Sequence, residues 1–223
     1  PLSAQDMCFC GSKNGCKGGF PTTAWARIEE DGLVTGGQNH GLGPFGNSSG
    51  FCSAFTLPHC HHYGPVGHDP YPAEGSTGCP RVSASPVCPT ECDAQARAPH
   101  ADFAQDKYSF KGKLEHYPTV SSLMSAIMTG GPVETAFKVY EDFENYAGGI
   151  YHKTTSRSLG GHAVKIVGWG TENNTKYWKV ANSWNPYWGE QGYFRIVRGT
   201  NECGIESGAV ASSADATWSG PGI

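Results

Sequence analysis

Two alternating apolar runs within residues 160–192, one headed by His162 and one ending at Asn182, restrict the fold of this chain more than any other feature. Both alternate with the period of half-buried strands, and the polar stretch 171–175 between them has the length of a hairpin connection. Folded antiparallel, they bring an imidazole and a carboxamide to one strand end. Such a chain needs an antiparallel sheet, and it carries a base with an orienting partner in Ala181-Asn182-Ser183-Trp184.

Composition closes off several classes. With 38% hydrophobic residues and no apolar run long enough to span a bilayer, the 223-residue chain is expected to be globular, with no membrane partner. A net charge of −4 and a pI near 6.1 leave no basic stripe, so nucleic acid is not expected as a partner either. Only 16% charged residues beside 31 glycines and 15 prolines describe a loop-rich chain, not a disordered one. Nine cysteines suit an oxidising compartment, lysosomal or secreted, and the glycosylation sequons at Asn47 and Asn173 fit that route. Residues 1–6 are neither basic nor followed by an apolar segment, so no signal peptide is read. The chain is expected to start partway through a longer protein or after processing.

Taken in order, residues 1–19 combine Cys8, Cys10 and Cys16 with four glycines, a stapled loop by composition. Residues 21–30 predict a helix, with Pro21 in its first turn and Asp31-Gly32 as its stop. From Gly36 to about Lys107 there is little periodicity, and Cys52, Cys60, Cys79, Cys88 and Cys92 are expected to cross-link an irregular excursion. A helix is predicted over 119–128, stopped by Gly130-Gly131-Pro132, then a strand over 133–139, a helical turn near 140–146 and a last strand over 192–198. The whole reads as α+β in two parts, 1–107 and 108–223, with a disordered tail from Ser212.

The segments Gly161-His162-Ala163, Ala181-Asn182-Ser183-Trp184, Cys16-Lys17-Gly18-Gly19-Phe20-Pro21 and Cys203-Gly204-Ile205-Glu206-Ser207 resemble the papain family of cysteine peptidases, and within it the cathepsin B branch. The resemblance runs from Leu2 to about Ala211. It implies a two-lobe fold, a helical left lobe facing a right lobe built on a β-barrel, and hydrolysis of peptide bonds by a thiolate beside an imidazolium. The chemistry is sound independently, because a neighbouring imidazolium pulls a thiol pKa well below its free value of about 8.5. On this reading His162 holds that charge and later protonates the leaving amine, Asn182 fixes the ring tautomer, and Trp184 shields their hydrogen bond. A histidine merely satisfied in the core is the competing reading.

The nucleophile is missing from the pattern. In the family it begins a helix inside Gln-Gly-x-Cys-Gly-Ser-Cys-Trp, and no cysteine here precedes a tryptophan. Cys10-Gly11-Ser12 imitates half of that motif, with Lys13 where the nucleophile belongs. The expectation is therefore an N-terminally incomplete enzyme, inactive alone, whose nucleophile lies in a preceding segment or a separate light chain. A catalytically dead homologue that binds peptides or inhibitors is the alternative.

Resemblance further implies disulfides Cys10–Cys88, Cys52–Cys92 and Cys60–Cys79, Cys16 bonded to the preceding segment, and Cys8 and Cys203 free. It places His61 and His62 in an occluding loop that holds a substrate C-terminus and releases dipeptides, although Tyr63 stands where the family has its second histidine. His59, Cys60, His61, His62 and His68 are zinc-ligand types, but their spacing is poor and a bonded Cys60 leaves the set, so no metal or cofactor is expected. Phe20, Pro21, Ala136, Ala163 and Glu206 are assigned to the second specificity pocket, with Gly161 beside them and Gly18 and Gly19 offering backbone hydrogen bonds to an extended peptide. The implied partners are peptide and protein substrates and cystatin-like inhibitors.

Overall fold

The computed structural model describes residues 1–11, 15–37, 50–63, 67, 69–110, 112–212 and 216–220. Along the chain lie α1 (Ala4–Cys10), α2 (Pro21–Glu30), β1 (Gly36–Gly37), β2 (Ser53–Ala54), β3 (Tyr108–Phe110), β4 (Leu114–His116) and α3 (Val120–Gly130). They are followed by β5 (Val133–Tyr140), β6 (Ile150–Tyr151), β7 (Ser158–Glu172), β8 (Thr175–Ala181), β9 (Tyr193–Val197), β10 (Val210–Ser212) and β11 (Ala216–Trp218). The chain divides into two units, Pro1–Pro58 with Arg81–Lys113 and Ala214–Ile223, and His59–Pro80 with Leu114–Ser213. This differs from a single division at residue 107, since the loop 59–80 groups with the second unit and the C-terminal segment with the first. Asn47, Lys13 and His68 lie outside the described residues.

In the first unit, Ser3 caps α1 by accepting Asp6 N–H at 3.0 Å, and Pro21 opens α2 where a missing N–H costs nothing. Little regular structure connects them, and buried carboxylates replace it. Asp6 accepts Val34 N–H at 3.1 Å, and Asp106 accepts the Thr35 N–H and hydroxyl at 2.8 and 2.5 Å. Disulfides Cys10–Cys88 and Cys52–Cys92 staple the irregular excursion, in the pairing that the resemblance implied. Residues 216–218 of the C-terminal segment form a strand. β11 pairs antiparallel with β3, and Trp218 stacks on Tyr108 with ring centroids 5.9 Å apart, which gives its apolar surface a place to go.

The second unit is built on a seven-stranded sheet in the order β4-β10-β5-β7-β8-β9-β6. It is an open sheet where a β-barrel was expected. Its edge strands are only three and two residues long, and no pairing among the described residues joins them. Along β5 burial alternates strictly, with Val133, Thr135, Phe137 and Val139 inward, as one-sided packing requires. α3 caps its own N-terminus through a Thr119–Ser122 box and lays Leu123 and Ala126 into the core with Ile166, Trp178, Val180, Phe194 and Ile196. β7 and β8 are joined through Asn173 and Asn174, both in left-handed conformation, as a two-residue primed turn demands. Asn173 is exposed on that turn.

Candidate active site

His162 is carried by the N-terminal half of β7, opposite Phe137 of β5, and Asn182 is the first residue beyond β8. The antiparallel register puts Lys165 opposite Ala181, so the asparagine emerges beside the histidine. His162 Nε2 and Asn182 Oδ1 are 2.8 Å apart. The same oxygen accepts Ser183 N–H at 2.8 Å. A backbone N–H can only donate, so the atom it meets must be the amide oxygen, and His162 must therefore carry its hydrogen on Nε2. A neutral ring so bonded leaves Nδ1 bare as a base.

Trp184 lies across this pair, its ring stacked on His162 at 5.4 Å and 27°. The tryptophan is itself fixed by Phe143 at 5.4 Å and Trp188 at 4.9 Å, both fully or almost fully buried. The turn that follows depends on Gly189, at φ +59 with Tyr193 O and the Tyr146 ring where a Cβ would stand. Burial holds the His162 pKa below the usual histidine range; the Asn182 hydrogen bond opposes that shift and the charge of His62 adds to it. Asn182 Nδ2 is buried with no hydrogen-bond partner among the described residues.

The loop 59–80 reaches the same place. It is closed by Cys60–Cys79 and by backbone bonds from His61 N to Pro72 O and from Glu74 N to His61 O. His62 packs edge-on against Trp184 at 5.4 Å, Tyr63 lies 4.6 Å from it, and Asn185 Nδ2 donates to the His62 carbonyl at 2.9 Å. His62 Nδ1 is held by Glu74, which leaves Nε2 as the nitrogen turned to other partners. His61 is held differently. Only 3% exposed, it bonds Asp69 Oδ2 through Nδ1 at 2.6 Å within its own loop.

Glu206 has internal partners. Buried at 7% exposure, its carboxylate accepts Trp178 Nε1–H at 2.8 Å, Gly199 N–H at 2.7 Å and Asn201 N–H at 2.8 Å. It organises the turn 199–207. Ala136 and Gly161 line an open hollow of about 300 Å³ with Phe137, Lys138 and Cys203. Ala163 sits opposite Ala136 on β7. Phe137, which also lines the hollow, is the residue paired with His162, while Ala136 and Ala163 are the next pair along the register. Burial with the neighbouring Glu202 carboxylate pushes the Cys203 thiol up to about 12. In the first unit, Gly18, Gly19 and Phe20 form an exposed run into α2, with Pro21 partly covered; Phe20 is 78% exposed.

Sequence reasoning missed Phe143, Asn185, Glu74 and Asp69. No local pattern marks them; Asn185 meets His62 across 123 residues of chain.

A model of the family described as papain family cysteine protease matches residues 1–213. The chain belongs to the papain family of cysteine proteases. It is 42% identical over 220 residues to cathepsin B-like cysteine proteinase 5 of Caenorhabditis elegans, a match covering 96% of this chain and 60% of that protein. It is 41% identical over 212 residues to a cathepsin B-like cysteine proteinase of Schistosoma japonicum, covering 94% and 57%. Among solved structures, procathepsin B S9 from Trypanosoma congolense superposes with a TM-score of 0.68 at 30% identity, covering 96% of this chain and 60% of that one. Digestive procathepsin L 3 of Tenebrio molitor, with a TM-score of 0.57 at 24% identity and coverage of 95% and 55%, shares the papain-like fold. The chain spans roughly three fifths of the length of these cathepsin B-like relatives, 57–60%. The α+β class is that of the fold neighbours, and the three disulfides are those of an oxidised protein.

Proposed function

We propose that this chain supplies the acid–base half of a cathepsin B-like peptidase, and that the nucleophilic cysteine lies outside its 223 residues. The observation that carries this reading is the His162–Asn182 pair at 2.8 Å, with Nε2 protonated, Nδ1 bare and Trp184 stacked over it. A thiol brought to Nδ1 would give up its proton there, and the resulting thiolate would hold the imidazolium that burial alone disfavours. The imidazolium would then protonate the leaving amine of a cleaved peptide bond. In the second unit the hollow at Ala136 and Gly161, with Ala163 beside it, would take a side chain of the peptide; in the first unit Gly18 and Gly19 would offer backbone hydrogen bonds to an extended peptide, with Phe20 and Pro21 beside them. With Glu206 consumed internally, that hollow favours apolar side chains.

His62, propped by Glu74 and leaning on Trp184, is the group suited to a substrate C-terminal carboxylate. Dipeptide release is therefore part of the proposal, with His62 alone in the role first shared with His61. A lysosomal or secreted location, glycosylation at Asn173, and cystatin-like inhibitors as partners belong to the same reading.

The test is to join the chain to the N-terminal segment of a cathepsin B-like relative and assay a fluorogenic peptide amide. Activity is expected from the joined protein, abolished by a thiol alkylator and by His162→Ala, and absent from the chain alone. His162-dependent turnover by the chain alone would refute the outside nucleophile. A joined protein that folds and binds peptide without cleaving it would favour a binding homologue. Equal cleavage of amidated and free-acid substrates by wild type and His62→Ala would remove the dipeptidase role.

A further inference from the structure

Tyr63 follows His62 in the loop 59–80 and has a backbone that few side chains tolerate, at φ +56. Among the described residues the other non-glycine positions at positive φ are Asn173, Asn174, Gln191, Asn201 and Cys203; three are asparagines, whose short polar side chain suits that region, and none is aromatic. A bulky ring there is strained, and such strain persists only where the surroundings fix it. Here neighbouring rings do so. The Tyr63 ring lies 4.0 Å from that of His62 and 4.6 Å from that of Trp184, tilted by 54° and 58°. Asn185 Nδ2 holds the preceding carbonyl, that of His62, at 2.9 Å, and Trp184 is itself stacked on His162 at 5.4 Å. Burial does not offset the strain, because Tyr63 remains 36% exposed. The strained backbone instead places a partly exposed aromatic ring beside the His62 imidazole, one ring away from the His162–Asn182 pair.

We propose that Tyr63 is a specificity-determining residue, forming with Trp184 an aromatic wall beside His62 that seats an apolar or aromatic C-terminal residue of a bound peptide. This role depends on that of His62 as the partner of the peptide's carboxylate. A phenol carries no positive charge, so Tyr63 adds no cation for that carboxylate where the resemblance implied a second histidine. It adds ring area instead. Glu74 occupies His62 Nδ1, so the carboxylate approaches Nε2. The side chain of a C-terminal residue starts one carbon from its carboxylate, and binding there brings it to the rings packed against the imidazole. Apolar burial and ring–ring contact both favour that encounter, so a peptide ending in phenylalanine is expected to bind about fivefold more tightly than one ending in glycine.

The isotope-labelled chain is titrated with acetylated Gly-Phe and Gly-Gly as free acids and with acetylated Gly-Phe amide, and Kd is read by NMR from the Trp184 indole N–H. Wild type is expected to favour the Gly-Phe acid over the Gly-Gly acid by that ratio. Tyr63→Gly, which removes the ring and relieves the backbone, should bring the two acids to equal affinity; Tyr63→Phe, which keeps the ring, should keep the difference. A ring that only props the loop would weaken both acids together in Tyr63→Gly and leave their ratio unmoved. That result overturns the proposal, as does a ratio lost in Tyr63→Phe, equal affinity for the two acids in wild type, or no binding of either. Failure of the His62 role has its own signature, equal binding of the Gly-Phe acid and its amide by wild type, and it overturns the placement of the wall at a peptide C-terminus even where Tyr63→Gly still removes a preference for phenylalanine.

Discussion

At the scale of single residues, His162 shows opposed influences of measurable sign. Burial, the largest, lowers its pKa, the Asn182 bond raises it and the charge of His62 lowers it. NMR titration of the chain should place His162 below the free-imidazole value of about 6.5. Asn182→Ala should move it further down, and His62→Ala up. The folded-state pKa is depressed, so the unfolded state binds the extra proton; the stability this residue contributes is present above about pH 6.5 and is lost as pH falls through the folded value. Glu206 carries a second prediction. With three N–H donors converging on it in the interior, Glu206→Ala should cost roughly 2–4 kcal/mol in denaturant unfolding. In the joined, active protein it should not separate arginine-containing from phenylalanine-containing substrates; a selective loss on the former would restore it to the pocket. The sequence marked both residues; His162 meets the Asn182 partner expected for it, whereas Glu206 meets partners that were not expected. Asn182 stands at a fixed strand offset, whereas the partners of Glu206 lie in a turn and on β8, which no local pattern announces.

At the scale of elements, periodicity made most of the scaffold legible. The α2 boundaries fall where Pro21 and Asp31-Gly32 put them, and α3, β5 and β9 each fall within two residues of expectation. The β7–β8 hairpin was legible for the same reason, since alternation and a polar turn are both local. What could not be read is the order in which strands pair, which made an open sheet look like a barrel, and the packing beneath the site. Phe143 sits in a one-turn 3-10 element and is fully buried, within 4.8–5.4 Å of Phe137, Tyr151, Trp184, Trp188 and Phe194. Phe143→Ala removes the common support of that cluster, at an expected cost of about 3–5 kcal/mol in unfolding free energy. It should also free Trp184, read as ring-current changes on His162 in the same NMR spectrum. A variant destabilised that much with an unmoved His162 signal would separate the core from the site.

At the scale of the whole molecule, the two units are held by different physics. The second has a continuous apolar core under a seven-stranded sheet, and its single disulfide closes only 19 residues of separation, within a peripheral loop. The first has two helices, two-stranded pairs and long irregular stretches, and its disulfides span separations of 78 and 40 residues. Loops of those lengths lose roughly 4–5 kcal/mol of unfolded-state entropy per bond in the chain-entropy model, comparable with the whole stability of a small domain. Reduction should therefore unfold the first unit selectively. In hydrogen exchange after mild reduction, amides of β1 and of residues 33–35 should lose protection, while β5, β7 and β8 keep theirs. Cys52→Ala with Cys92→Ala should reproduce most of that loss without a reductant. Equal loss in both units would mean that the sheet core does not stand without the stapled half, and that the two fold as one cooperative body.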